Sequence, residues 1–197
     1  MIVSWVALGM ASIALAVAVA ALFSRDNVAV APEPVFPPLS STVPMPGQPP
    51  DLASMTPRQA ADRLFNRVMT ASENGDSAEA LRFAPMALQA YNNLGTLDND
   101  ARYHVALLHL TQNDSKGARV QVDLLRKAVP NHLLGFMLEH EIAVRSGKQD
   151  SVARSFKAFL AAYDTEIAVD RVEYQDHLKN IERFLTAAQA SVAGKKQ

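Results

Sequence analysis

Three short polar turns, Asn74-Gly75-Asp76, Gln112-Asn113-Asp114 and Ser146-Gly147-Lys148, interrupt a helix-patterned stretch at nearly even intervals. Gly75 and Asn113 are 38 residues apart, and Asn113 and Gly147 are 34 apart. Each turn joins two segments with the apolar spacing of an amphipathic helix, so the chain reads as a row of helical hairpins. One hairpin cannot bury its apolar face alone, and a row of them must stack. No segment shows sustained strand alternation, and the expected class is all-α.

Local signals place the helices. Thr56-Pro57-Arg58-Gln59 combines an N-cap hydroxyl, proline at the first helical position and glutamine at the third, the pattern of a capping box. The spacing predicts a first helix ending at Asn74 and a second from about Ser77 to Asn93, with Asp76 and Glu79 as a capping pair and Pro85 expected to kink or divide it. Further helices are predicted at about Asp98 to Gln112, Ser115 to Val129, His132 to Ser146 and Asp150 to Tyr163, with a last stretch from Ala168 to Ser191. Asp98 and Asp100 are expected to cap the third helix, and Asp170, Glu173 and Asp176 to lie on an exposed face. The helical domain is assigned to residues 56–192, followed by a tail at 193–197.

The 38-residue interval becomes 34 if the link from Leu94 to Asp98 carries about four extra residues. Five residues after each turn come Ala80, Ala118 and Val152, and seven further on come Ala87, Leu125 and Phe159. Pro130 closes the second unit. On these residues the chain resembles the tetratricopeptide repeat (TPR), a 34-residue helix pair with a small residue early in its second helix and a proline at its end. The resemblance implies an α-solenoid of three units, Ala61 to Asn92, Asn99 to Pro130 and Leu133 to Asp164, with a C-terminal capping helix. Ala106 matches the family's small residue at the eighth position, whereas Val68 and His140 depart from it, as does most of the tryptophan-glycine-tyrosine signature.

In that family the first helix of each pair lines a protein-binding groove. Carried over, this implies contact residues Asp62, Phe65 and Met69 in the first unit, Asp100, Tyr103 and Leu107 in the second, and Leu134, Met137 and Glu141 in the third. For Phe65, Leu107 and Leu134 an ordinary core position is an equal reading. The basic clamp with which chaperone-binding members hold a terminal carboxylate is not implied, because these positions are apolar or acidic.

Ahead of the helical domain, Met1 to Phe23 carries no charged side chain. At about 1.5 Å per residue it spans roughly 34 Å as a helix, enough to cross a bilayer. Ala16-Val17-Ala18 and Ala18-Val19-Ala20 have the spacing of a signal-peptide cleavage site, but no Lys or Arg precedes the apolar run. The expectation is a retained transmembrane anchor at residues 1–24. Residues 25–55 follow as a linker in which Ala31 to Pro50 holds eight of the eleven prolines, a semi-extended spacer. An anchor, a proline-rich spacer and a domain without cysteine suggest a single-pass protein of a bacterial inner membrane with a periplasmic domain.

Composition narrows the function classes. A net charge of −1 offers no basic surface for nucleic acid, and the absence of cysteine removes disulfides and thiolate chemistry. There is no Gly-x-Ser-x-Gly, phosphate-cradling glycine loop, dinucleotide fingerprint or His-Glu-x-x-His. His104 and His109, five apart, do not share a helix face, so no metal ligand set, cofactor or catalytic residue is assigned. The expectation is a non-enzymatic, membrane-anchored scaffold for a protein partner, acting in assembly of a membrane or envelope complex. The alternative is a permanent structural subunit of such a complex.

Overall fold

The structure, a computed structural model, describes residues 55–193. The expected anchor at 1–24, the linker up to residue 54 and the tail from 194 lie outside them. Among the described residues there are eight helices and no strand: α1 (Pro57–Glu73), α2 (Ser77–Asn92), α3 (Asn99–Thr111), α4 (Ser115–Ala128), α5 (Leu133–Arg145), α6 (Gln149–Ile167), α7 (Val172–Asp176) and α8 (Leu178–Ala193). None of them is long and apolar enough to cross a membrane.

The starts of the first four helices are each capped by a side chain. Thr56 and Gln59 form the predicted capping box at α1. The carboxylates of Asp76, Asp98 and Asp114 accept the backbone N–H three residues on, from Glu79, Ala101 and Gly117. Each satisfies a donor that the helix would otherwise leave unpaired. Asp98 is thus the cap of α3, and Asp100 is free for other partners.

All three intra-hairpin turns use one device. Gly75, Asn113 and Gly147 have φ of 76°, 59° and 65°, the left-handed region. The next residue's N–H reaches back five residues in each case: Asp76 to Ala71, Asp114 to His109, and Lys148 to Ala143, at 2.8, 2.8 and 3.0 Å. This is the Schellman closure, repeated at all three turns. The longer first interval is shared between two places. α2 has 16 residues against 14 in α4, and the link at 93–98 is two residues longer than that at 129–132. The sequence reading had put the whole excess in the link.

Each of α1 to α6 packs chiefly on its hairpin partner, while α1, α3 and α5 touch in succession and α8 lies against α6 and α5. This arrangement is compatible with a helical-repeat solenoid. The equivalent positions Ala87, Leu125 and Phe159 are all fully buried. Two apolar clusters result, one among α1, α2 and α3 and the other running from α3 to α8, with Leu107 packed against both.

Three expectations need correction. α2 is not divided at Pro85 but continues as one helix, with Pro85 and Leu81 on its exposed side, where water can reach the carbonyl that proline leaves unpaired. α6 runs to Ile167, because nothing between Tyr163 and Ile167 breaks a helix; the chain turns only at Asp170, with φ of 54°. The last stretch is two helices, broken at His177.

Candidate functional site

The first helices of all three hairpins contribute to one cleft of about 690 Å³, which α8 walls on its far side. Met69 of α1, Tyr103 and Leu107 of α3, and Met137 and Glu141 of α5 line it, together with Arg183 and Phe184 of α8. These side chains converge because hairpins of matched register bring equivalent helix faces side by side. The cleft is mixed in character: Met69, Leu107, Met137 and Phe184 give it apolar surface, and Glu73, Glu141, Arg145 and Arg183 line it with charge. Two methionines among the lining residues make it adaptable in shape.

Five of the nine residues implied by the family resemblance therefore share this cleft: Met69, Tyr103, Leu107, Met137 and Glu141. The other four lie elsewhere. Phe65 is core, stacked on the His104 ring with centroids 3.8 Å apart. Leu134 is fully buried in the cluster that includes Tyr174 and Ile181. Asp62 and Asp100 belong to a polar network at the N-terminal ends of α1 and α3. Tyr103 is itself nearly enclosed, its ring edge-on to His177 at 4.7 Å. Burial, and then the neighbouring Asp100 charge, push its hydroxyl above the ordinary range.

His140 occupies the position where Val68 and Ala106 are fully buried. Its ring lies between Phe156 and Phe184, at 4.1 and 5.0 Å, and its Nδ1 is 3.0 Å from the Ser155 hydroxyl. Burial holds it below the ordinary histidine range, so it lines the cleft as a neutral, aromatic-flanked group.

The polar network is centred on Arg58. Its guanidinium binds Asp62 through Nε at 2.9 Å, Asp98 through Nη1 at 2.8 Å and Asp100 through Nη2 at 2.5 Å. Tyr91 donates to Asp62 at 2.5 Å and meets His104 Nδ1 at 2.8 Å, and His177 Nε2 lies 2.8 Å from Asp100 Oδ1. Burial alone would raise the Asp62 carboxyl, but His104, Tyr91 and Arg58 bring it down to about 2. The same opposition leaves Asp100 below its ordinary value, with His177 the strongest of the groups that lower it. Arg58 is held charged, its partners outweighing its burial.

No protein-family model matches this sequence, and no curated protein matches it.

Sequence reasoning missed Arg58, Tyr91, His104 and His177 as a group. Asp100 and His104 are four apart and share a face of α3, a signal that was legible. His177, 73 residues beyond His104, joins them only because the chain returns across α3 after α7. Glu173, expected on an exposed face, is instead turned inward. It lies 2.9 Å from Nε2 of the fully buried His132, and Asn99 also donates to it.

Proposed function

We propose that this chain is a membrane-tethered binding protein whose cleft holds a segment of a protein partner, in assembly or stabilisation of a membrane or envelope complex. The observation that carries this reading is one cleft of mixed apolar and charged lining to which all three hairpins and α8 contribute. A groove that spans repeats suits an extended or helical peptide better than a small molecule, because contacts recur along its length. The hairpin period, the alanines at matched positions and Pro130 support assigning the units to the tetratricopeptide type. The uncharged stretch of residues 1–23 is proposed as a bilayer anchor, and the proline-rich spacer as what holds the domain clear of a periplasmic membrane face.

The test is site-specific photo-crosslinking of the full-length chain in native membranes. One probe replaces Met137 in the cleft, and a control probe replaces Asp123, exposed on α4. Met137 is preferable to Tyr103, which is only 5% exposed. A dominant partner captured from Met137 and absent from Asp123 is the expected result. Equal capture from both positions would set the cleft reading aside.

A second reading, a permanent structural subunit, draws on Met86 of α2 and Leu124 of α4. They are equivalent positions in successive hairpins, exposed at 50% and 40%. A subunit docked there would be captured from Asp123 and would co-purify at fixed stoichiometry through detergent and salt.

A further inference from the structure

Asp100, His104 and His177 each offer one ligand-type atom, and these atoms all lie within 4.8 Å of one another. Asp100 Oδ1 is 2.8 Å from His177 Nε2 and 3.5 Å from His104 Nε2. Ligand atoms around a tetrahedral zinc ion at its usual bond lengths are roughly 3.3 Å apart, and the two measured separations bracket that value. Both histidines are largely enclosed, with side-chain exposures of 9% and 11%.

The hydrogen-bond inventory says what these atoms offer. Asp62, ionised beside Arg58, can only accept, so the Tyr91 hydroxyl spends its proton on it. Tyr91 then has only lone pairs to offer His104, and Nδ1 of His104 must carry hydrogen. In the neutral ring, Nε2 is consequently a lone pair, turned towards the Asp100 carboxylate, which is also an acceptor. Two acceptors facing each other in a partly buried site leave a position that a cation would fill. Formal charge agrees: Arg58 stands against Asp62, Asp98 and Asp100, a sum of −2 with neutral imidazoles. One divalent ion brings it to zero.

We infer that Asp100, His104 and His177 form a binding site for a divalent transition metal of the zinc class. Two imidazole nitrogens and one carboxylate oxygen are a donor set suited to such ions. The outer contacts are also in place. Arg58 holds Asp100 through its other oxygen, Oδ2, and Tyr91 fixes the tautomer and orientation of His104. On binding, the Nε2 hydrogen of His177 moves to Nδ1, and the freed lone pair takes the metal in place of the hydrogen bond to Asp100. The ion joins α3 to the α7–α8 junction, fixing the start of the helix that walls the cleft.

The test uses the untagged full-length chain in detergent, stripped with chelator and titrated with zinc chloride. One zinc per chain retained through dialysis, with a raised thermal midpoint, is expected. His104→Gln and His177→Gln should each weaken binding at least about a hundredfold, and Tyr91→Phe, which removes only an outer contact, about tenfold. His109→Gln, outside the site, should bind as the parent does. Helix content of every variant is checked by circular dichroism. Cobalt added to the parent chain gives a second readout, visible d–d absorption from nitrogen and oxygen ligation, that needs no variant. Absence of stoichiometric zinc in the parent, or equal loss in His109→Gln and the two ligand variants, would overturn the site.

Discussion

The His132 imidazole is enclosed at the head of α5, its Nε2 donating to Glu173 and its Nδ1 without a partner among the described residues. A second proton would have to sit on that enclosed Nδ1, and burial accordingly holds the ring below the ordinary value of 6.5 despite the Glu173 charge. The unfolded chain takes up the proton near 6.5, so it binds more protons than the folded chain just below that pH, and stability falls as pH drops. His140, also lowered by burial, adds to the same trend. Burial would raise Glu173, but His132 and Asn99 hold it below its ordinary 4.5, so a second loss sets in below that value. Thermal midpoints should be level near pH 7, decline towards pH 5 and fall further below 4.5, and His132→Gln should flatten the first part of the decline. None of this was legible in the sequence. His132 and Glu173 look like surface residues of separate helices until α7 brings Tyr174 over the start of α5, where its hydroxyl accepts from Leu133 N–H.

Turns and caps were the opposite case, because their chemistry is complete within a few residues. Gly75, Asn113 and Gly147 announced themselves by type, and the structure puts all three in the left-handed region. No atom lies within 4 Å of where a Cβ would stand at Gly75 or Gly147, so a side chain there costs only conformational energy. Gly147→Ala is expected to destabilise by about 1 kcal/mol, and Asn113→Gly to leave stability equal or slightly higher, as chemical denaturation would measure. The same locality explains the errors at Pro85 and α6. A proline's effect depends on whether water can reach the carbonyl it leaves unpaired, and a helix end without a breaker depends on what the next turn packs against. The groove residues were half legible for a similar reason. Helical period names a face, but only packing decided that Phe65 and Leu134 belong to the core while Met69, Leu107 and Met137 line the cleft.

Across the whole domain, the stack has one end that depends on its last helix. Ile181 and Ala188 of α8 are fully buried in the cluster that holds Phe159 and Leu138, so the third hairpin leans on α8 as the first two lean on each other. Ending the chain after Ile167 would uncover that cluster, and we expect loss of soluble, cooperatively folding protein, read from soluble yield and thermal melting. Loss of one large buried side chain from the same cluster, as in Phe159→Ala, should cost about 3–5 kcal/mol. The α8 surface that seals this cluster adjoins the one that forms a wall of the cleft, through Arg183 and Phe184. An occupant that touches α8 only in its docked position adds its binding free energy to the docking equilibrium. Occupancy would therefore make transient opening of the C-terminal end rarer, and exchange of an amide proton on α8 would record whether the cleft is full.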